Sequence, residues 1–230
     1  MSKKTKIQGM GAIPHAGGVA FRVWAPNAQR VAVIGSFNGW DGGKHPMQAE
    51  ENGCWYADVA GAHVGDQYKF QLTTAQGEFM RIDPYAREVT NSVGNAIVCD
   101  SSFDWKGDDF HLAPWNELVI YELHVGTFNE KDDNIPGKFA TVSARLGHLK
   151  KLGVNTIEIM PIAQFAGERS WGYNPSHIFA VETDYGGPLG LKRFIKRAPE
   201  KGLAGVLRAR SNTSTPCPYI THFVPHTITL

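Results

Sequence analysis

A short apolar run from Val154 to Met160 limits the possible folds more than any other part of this sequence. The run is rich in β-branched residues and stops at Pro161, which predicts a buried strand. Ahead of it, apolar residues at steps of three and four predict a helix, at Phe139, Val142, Leu146, Leu149 and Leu152. A mostly apolar strand is predicted still earlier, from Val119 to Val125. Strand, helix and strand in this order predict a parallel sheet, because parallel neighbours need a crossover connection.

The alternation of strand and helix continues after this run. A second predicted helix has one apolar face, formed by Leu191, Phe194, Ile195 and Ala198. Leu203 to Leu207 then predicts a third strand. The repeat over residues 118–207 is typical of the beginning of an α/β barrel or of a doubly wound sheet. Residues 208–230 have no apolar period, and we expect them to form an aberrant, disordered tail.

The first part of the chain has a different pattern. Short runs alternate with a period of two, around residues 19–25, 31–34, 55–59, 68–72 and 95–98. Turn pairs such as Asn-Gly and Gly-Gly separate them, and no helical period lies between them. This pattern predicts an antiparallel, immunoglobulin-like β-sandwich over residues 15–105. A polar arm is expected at residues 1–14, and a linker at residues 106–117.

Composition excludes several classes of partner. The formal net charge of +1 gives no electrostatic basis for binding nucleic acid. No stretch approaches the ~18 uninterrupted apolar residues of a membrane span, and the N-terminus lacks the apolar core of a secretory signal. Three cysteines without motif spacing predict free thiols in a reducing compartment. We therefore expect a cytoplasmic protein with no nucleic-acid or membrane partner.

The loop that follows the Val154–Met160 strand holds the first candidate binding residues. It sets Trp171 and Tyr173 beside Asn174, and ligand sites of α/β barrels form at the C-terminal ends of their strands. Earlier in the chain, Glu122 and His124 lie one strand period apart and could form an acid–base pair. Structural hydrogen bonding is the favoured interpretation of that pair, because they belong to the first strand of the repeat.

Metal and cofactor chemistry has little support in the sequence. Cys217, His222 and His226 are zinc-type ligands at short spacing, but they lie in an aperiodic tail. Chance explains this grouping better than a metal site does. We expect no metal and no organic cofactor.

Two sets of motifs resemble one known family. The segments FRVWAPNAQRVAVIGSFNGWD, YKFQL and IDPYA resemble the N-terminal carbohydrate-binding-like sandwich of branching-type enzymes. The segments VIYELHVGTFN, LGHLKKLGVNTIEIMPIAQFAGERSWGYNP and DYGGPLGLKRFIKRA resemble the first two βα units of their catalytic barrel. These enzymes belong to glycoside hydrolase family 13, the α-amylase family. The resemblance implies a sandwich followed by an incomplete (β/α)8 TIM barrel, of about two βα units and a third strand.

The resemblance also implies an activity and a partner. Family members act on α-1,4-glucans such as glycogen or malto-oligosaccharides, with two carboxylates at the reacting bond. Those carboxylates belong to later barrel strands than this sequence contains, so we expect no catalytic residue and no turnover from the 230 residues. A branching enzyme is the favoured parent. The alternatives are a malto-oligosyltrehalose trehalohydrolase, another α-amylase-family hydrolase, or a non-catalytic glucan-binding module.

Several residues acquire expected roles from the resemblance. Tyr173 matches a family tyrosine that lies against the sugar, and this role is favoured over packing on the barrel rim. For Trp171 the two interpretations stay open, and Asn174 is expected to help bind the glucan. Trp40 and Lys69 resemble residues with which some sandwiches of this class hold glucan. Bracing of the barrel is the favoured role for the sandwich here.

One family motif is altered in this chain. Relatives carry a strand of the form LDVVYNH after the second helix, whereas an ungapped alignment puts Arg208 at its Asp and Thr213 at its His. A proline, Pro199, also interrupts the second helix, where it costs about 3 kcal/mol. The hypothesis is a frameshift or a gene-model error just after Ala204. The other two frames of the DNA test it, because one of them should then encode a DVVYNH-like strand.

Overall fold

A computed structural model of the chain describes residues 6–107, 110–130, 135–208 and 228–229. The chain divides into two compact units, Met1–Ser101 and Ser102–Leu230. The first unit thus ends slightly before residue 105, where the sequence pattern put the end of the sandwich. Most of the tail predicted at 208–230 lies outside the described residues, as do Cys217, His222 and His226.

The first unit consists of short β-strands. They are β1 (Gly11–His15), β2 (Gly18–Trp24), β3 (Arg30–Gly35), β4 (Gln48–Ala49), β5 (Cys54–Val59), β6 (Gln67–Thr74), β7 (Gly77–Arg81) and β8 (Ala96–Ile97). One antiparallel sheet has the order β1-β2-β5-β4. A second has the order β3-β6-β7, with β8 also paired to β6. These strands confirm the alternation found in the sequence.

The inner faces of the two sheets share an aromatic core. Phe21 of β2 meets Tyr68 of β6 edge to face, with ring centroids 5.0 Å apart. Phe70 contacts Tyr68 in the same way at 5.8 Å. All three side chains are fully buried, which is the packing expected between the sheets of a sandwich.

The N-terminal arm differs from its prediction, because β1 begins inside it and residues just before β1 are anchored. Arg22 of β2 donates from Nη1 to the carbonyl oxygens of Ile7 at 2.8 Å and Gly9 at 2.6 Å. Its Nε donates to Glu50 Oε2 at 2.7 Å, so the buried guanidinium has a counter-ion. A buried arginine therefore holds a polar segment that composition alone would assign to solvent.

The second unit alternates strands and helices. Its strands are β9 (Ile120–Leu123), β10 (Thr156–Ile159), β11 (Ala163–Phe165), β12 (Pro175–Val181), β13 (Ala204–Leu207) and β14 (Ile228–Thr229). Its helices are α1 (Val125–Phe128), α2 (Phe139–Ser143), α3 (Leu146–Lys151) and α4 (Gly187–Glu200). In the described part of the chain, none of the helices is long and apolar enough to cross a bilayer.

The parallel sheet predicted from the sequence is present. β10 pairs in parallel with β9 on one side and β13 on the other, and β14 extends the sheet beyond β13. Helices α2, α3 and α4 bury their apolar faces against it, with Phe139, Leu149, Ile157 and Phe194 in the core. The residues expected on one helical face are those buried here, with the exception of Leu152, which is 61% exposed.

The helix predicted over residues 139–152 is divided into α2 and α3. Asn129 explains the break, because its Nδ2 donates to the carbonyl oxygen of Thr141 at 2.7 Å. In a continuous helix that oxygen would accept from the N–H of Arg145. The Arg145 N–H instead donates to Val142 O at 2.9 Å, closing a tighter turn.

The segment that opens the second unit is attached to α4. Lys196 Nζ donates to the carbonyl oxygen of Asp104 at 2.6 Å, and Lys192 Nζ to that of Ser102 at 3.4 Å. The rings of Phe103 and Trp105 pack at a tilt of 60°, with centroids 4.5 Å apart, and Trp105 also packs against the core of this unit. Residues 102–105 therefore belong to the parallel-sheet unit and not to the sandwich.

Candidate functional site

The candidate binding residues of the second unit lie together on one loop, residues 166–174. The strand β10 ends before Pro161, and the chain then forms the antiparallel hairpin of β11 and β12, with this loop at its tip. Trp171 is 71% exposed, Tyr173 is partly buried and Asn174 is exposed. The sequence predicted the loop but not the hairpin that carries it.

Tyr173 is contacted from the end of β13. Arg208 Nη1 donates to the Tyr173 hydroxyl oxygen at 3.3 Å, and also to Glu122 Oε1 at 2.6 Å. Arg208 Nε lies 3.3 Å from Glu158 Oε1. Hydrogen bonding to Tyr173, together with the two carboxylates, raises the pKa of the Arg208 guanidinium above its ordinary value. The guanidinium thus links three side chains at the C-terminal ends of neighbouring strands.

The two carboxylates are brought together by the register of the sheet. Glu122 on β9 is the cross-strand neighbour of Glu158 on β10. Side chains at matched positions of adjacent strands point to the same face, so two negative charges would repel there without a cation. Arg208 supplies that cation. The Glu122 carboxylate is held in an ion pair, in keeping with the structural interpretation favoured for it.

The tip of the loop is held by His124, which directly follows β9. Its Nε2 lies 2.9 Å from the carbonyl oxygen of Ser170 and 2.8 Å from the hydroxyl of Tyr185. Its Nδ1 lies 3.2 Å from Thr127 Oγ1. These contacts are in keeping with the favoured interpretation of His124 as a structural hydrogen-bonding residue.

Inside the loop, Ser170 organises the residues that follow it. Its hydroxyl donates to Asn174 Oδ1 and accepts from the N–H of Gly172 at 3.0 Å. Gly172 has φ +84°, and a Cβ at this position would lie 2.1 Å from the carbonyl oxygen of Pro161. Only glycine fits this approach. Because Asn174 Oδ1 already accepts from Ser170, this side chain has less capacity to accept a hydrogen bond from a ligand.

A buried polar pair fixes the base of the loop. Glu182 accepts at Oε1 from Gln164 Nε2 and from the N–H of Asp184, at 3.1 and 3.2 Å. Its Oε2 accepts from the N–H of Phe165 at 3.2 Å. Burial raises the pKa of the Glu182 carboxyl, while these donors favour its charged form. Glu182 and Gln164 are 1% and 3% exposed, so the pair belongs to the interior.

A second candidate surface lies on the sandwich, where Trp40 follows a turn built by Asn38. The Asn38 side chain is buried; it accepts from the N–H groups of Gly35 and Trp40, and donates to Val33 O. Trp40 has φ +64°, unusual for a bulky residue, and its side chain is 39% exposed. Such a backbone angle persists only where its surroundings support it.

Lys69 lies on β6, on the face opposite to Tyr68 and Phe70, and it is partly exposed. Its neighbour on that face, Gln71, touches the turn that carries Trp40. A Cβ on Gly42 would lie 1.8 Å from Gln71 Oε1, so this turn rests on the outer face of β6. The two sandwich candidates therefore belong to one side of the same sheet.

The structure also contains site features that the sequence did not indicate. Gln164 and Glu182 are 18 residues apart and become neighbours only through the hairpin. Arg208 stood out in the sequence as a departure from a motif, without a predicted contact. Among the described residues, no group of three or more His, Cys, Asp and Glu side chains is arranged to hold a metal ion.

Comparison with known proteins shows which proteins this chain is similar to. Residues 9–86 match the family model of carbohydrate-binding module 48, the isoamylase N-terminal domain. A 1,4-alpha-glucan branching enzyme from Burkholderia thailandensis is 36% identical over 213 residues, which cover 86% of this chain and 25% of the relative. The chain is therefore similar, over most of its length, to branching-type enzymes of glycoside hydrolase family 13.

The curated relatives are longer than this chain. A malto-oligosyltrehalose trehalohydrolase from Saccharolobus solfataricus is also 36% identical, over 191 residues that cover 83% of this chain and 32% of the relative. The chain spans 25% to 32% of the length of the curated relatives compared with it.

Several solved structures share the fold of this chain. A protein assigned as an α-amylase, from Salmonella typhimurium, superposes with a TM-score of 0.78 and 34% identity, over 95% of this chain and 36% of that one. A pullulanase from Anoxybacillus, solved in complex with maltotriose, superposes with a TM-score of 0.75 and 22% identity. That superposition covers 90% of this chain and 34% of the pullulanase, and it bears on the fold alone.

Proposed function

We propose that this chain is the α-glucan-binding N-terminal part of a 1,4-α-glucan branching enzyme. The parent activity would cut an α-1,4 link in glycogen or a malto-oligosaccharide and transfer the released chain to a 6-hydroxyl. The function proposed for the 230 residues is binding, and none of the described residues is given a catalytic role. The exposed loop with Trp171 and Tyr173, at the C-terminal ends of the parallel strands, carries the proposal.

The chemistry of this loop suits a sugar. Sugar rings present apolar C–H faces that pack on aromatic side chains, while their hydroxyls need polar neighbours. Trp171 offers a largely exposed indole, and Tyr173 offers a ring whose hydroxyl is held by Arg208. Glu122 and Glu158 lie on the same side and can accept hydrogen bonds from hydroxyls.

The architecture supports the same proposal. We interpret β9, β10 and β13, with helices α2 to α4, as the first two βα units and the third strand of a (β/α)8 barrel. In this interpretation residues 118–207 form the start of the barrel and 106–117 the linker, while the sandwich predicted over 15–105 ends with the first unit at Ser101. The C-terminal ends of barrel strands form the substrate face, which is the edge that carries Tyr173.

The sandwich is proposed mainly to brace the barrel, with glucan contact through Trp40 and Lys69 as its second role. The match of residues 9–86 to a carbohydrate-binding module favours that second role. The Trp40 indole is partly exposed on a turn supported by buried Asn38, which is a preorganised surface.

Binding of maltoheptaose to the purified chain, measured by calorimetry, tests the proposal. We expect Tyr173→Ala to weaken binding by roughly tenfold, the scale of about 1.5 kcal/mol for an aromatic contact. Trp115→Ala is the matched control, because Trp115 is a 64% exposed tryptophan elsewhere in the same unit. Unchanged binding in Tyr173→Ala and in Trp171→Ala would exclude the loop as the glucan site.

A parallel pair of variants tests the sandwich. Electrophoresis of the chain through a gel that contains glycogen measures binding as retardation of the protein. Trp40→Ala should reduce this retardation less than Tyr173→Ala does. Trp24→Ala, which removes a 61% exposed tryptophan, serves as the control for Trp40→Ala. If Trp40→Ala abolishes retardation while the loop variants do not, the sandwich is the binding site and bracing is the wrong role.

A trehalohydrolase parent is the second candidate, favoured by the relative from Saccharolobus solfataricus at 36% identity. The two parents differ in ligand, so maltotriosyltrehalose and maltoheptaose should be compared on the same chain. Tighter binding of the trehalose-terminated oligosaccharide, lost in Tyr173→Ala, would favour the trehalohydrolase.

A further inference from the structure

One contact outside the loop controls its tip. The carbonyl oxygen of Ser170 lies next to Trp171 in sequence and is 2.9 Å from His124 Nε2. The hydroxyl of the same serine contacts Asn174 and the N–H of Gly172. A single residue beyond β9 therefore reaches the serine that orders the rest of the loop.

The proton positions on His124 follow from its partners. A carbonyl oxygen can only accept, so the 2.9 Å contact with Ser170 requires a proton on Nε2. In the neutral ring Nδ1 then carries the lone pair and accepts from the Thr127 hydroxyl, 3.2 Å away. The Tyr185 hydroxyl oxygen, 2.8 Å from Nε2, shares this N–H as a second acceptor. The imidazole acts toward the loop as an N–H donor.

Two further contacts of the loop act at other points of it. Arg208 acts on the hydroxyl of Tyr173, and Glu182 acts on the hairpin strands at the base. The segment between them, from Gly167 to Gly172, contains two glycines with positive φ and is intrinsically free to adopt other conformations. His124, directly after β9, contacts Ser170 within this segment.

We propose that His124 is a positioning residue for glucan binding, which presents the Trp171–Asn174 platform through the Nε2–H to Ser170 hydrogen bond. The inference rests on the proposed function of the loop. It predicts that the essential feature is an N–H donor at the Nε2 position, and neither the aromatic ring nor its charge.

Two substitutions separate the donor from the ring. Glutamine can place its amide nitrogen near the position of Nε2, whereas the shorter asparagine reaches only the position of Nδ1. His124→Gln should therefore retain the contact and His124→Asn should lose it. Tyr185→Phe is a matched control, because it removes the other neighbour of Nε2 and leaves its ring packed against Phe139 and Phe165.

Hydrogen exchange of the full chain without ligand measures loop order directly. In His124→Asn the amide of Gly172 should exchange about fivefold faster than in the wild type, the factor set by one neutral hydrogen bond. His124→Gln and Tyr185→Phe should exchange like the wild type. Exchange in β10 and α4 reports whether each variant is folded, and it should be unchanged. Equal exchange in the Asn and Gln variants, whether both are fast or both slow, would overturn the proposal.

Maltoheptaose binding then connects loop order to function. His124→Asn should bind about fivefold more weakly, and His124→Gln within about twofold of the wild type. Wild-type affinity in His124→Asn, with Tyr173→Ala impaired, would overturn the positioning role while preserving the glucan site. Absence of any effect of both Tyr173→Ala and Trp171→Ala would refute the glucan site instead, and the exchange comparison would still decide whether His124 orders the loop.

Discussion

A buried acid in the sandwich should make this unit less stable as the pH rises. Asp83 is fully buried; its Oδ2 accepts from the Tyr68 hydroxyl at 2.5 Å, and its Oδ1 from the N–H of Tyr85 at 2.8 Å. Burial raises the pKa of the Asp83 carboxyl from 3.8 to about 6, although the hydrogen bond from Tyr68 lowers it. The folded sandwich therefore binds this proton more tightly than the unfolded chain does.

This difference in proton affinity determines how the stability of the sandwich changes with pH. Between pH 3.8 and about pH 6 the carboxyl is protonated in the folded state and ionised in the unfolded state. The proton therefore stabilises the fold fully below pH 3.8, and this stabilisation is lost as the pH rises through about 6. The pKa change corresponds to about 3 kcal/mol of unfolding free energy. The direction is opposite to that of ordinary acid denaturation.

The assay compares the wild type with Asp83→Asn, which keeps the shape of the protonated acid. Urea unfolding of the full chain, monitored by hydrogen exchange of the β6 amides, gives the free energy of unfolding of the first unit at each pH. The free energy of unfolding of the wild type minus that of Asp83→Asn should fall by about 3 kcal/mol between about pH 4 and pH 7. Subtraction removes the contribution of the other acids, since they are the same in both proteins.

Tyr68→Phe supplies a second measurement of the same pair. It removes the hydrogen bond that lowers the Asp83 pKa, so the midpoint of the pH dependence should move above about 6. A difference between wild type and Asp83→Asn that is flat with pH, or that grows as the pH rises, would refute this account of the buried carboxyl.

Three further predictions concern the second unit. Gly172→Ala should destabilise the loop by more than Gly167→Ala, because both residues have positive φ but only a Cβ at Gly172 meets backbone; thermal unfolding and exchange measure the difference. Glu182→Gln should lower the free energy of unfolding by about 1–3 kcal/mol in urea, because an amide N–H₂ then faces an N–H donor. Leu149→Ala should cost about 2–5 kcal/mol, whereas Leu152→Ala, at an exposed position of the same segment, should cost less than about 0.5 kcal/mol. Similar losses in the two leucine variants would contradict the assigned core.

Several strands could be predicted because each of them carries its own periodic signal, whereas β11 and β12 of the hairpin were not predicted. Val19, Phe21, Val23 and Ala25 recur with a period of two and are buried in the structure. Ile157 and Ile159 mark a strand that is covered by helices. The division of the predicted helix into α2 and α3 could not be predicted, since it depends on Asn129. That side chain acts across 12 residues, and no local pattern reports such a contact.

In the candidate site, too, residues close in sequence could be grouped, whereas contacts between distant residues could not be predicted. The grouping of Trp171, Tyr173 and Asn174 was visible because they share one loop. The bridge from Arg208 to Glu122 and Glu158 was not visible, because strand register decides which side chains face each other. The contact between His124 and Ser170, 46 residues apart, was hidden for the same reason.

The attachment of residues 102–105 to α4 has a practical consequence for anyone who wishes to excise the sandwich. A fragment that ended at Trp105 would carry Phe103 and Trp105 away from the lysines and the core that cover them. Two unprotected aromatic rings on a free chain end favour aggregation and adhesion to other surfaces, including carbohydrate resins. Such a fragment could mimic glucan retention by adhesion alone. Termination at Ser101 removes this artefact and keeps the Tyr68–Asp83 pair intact.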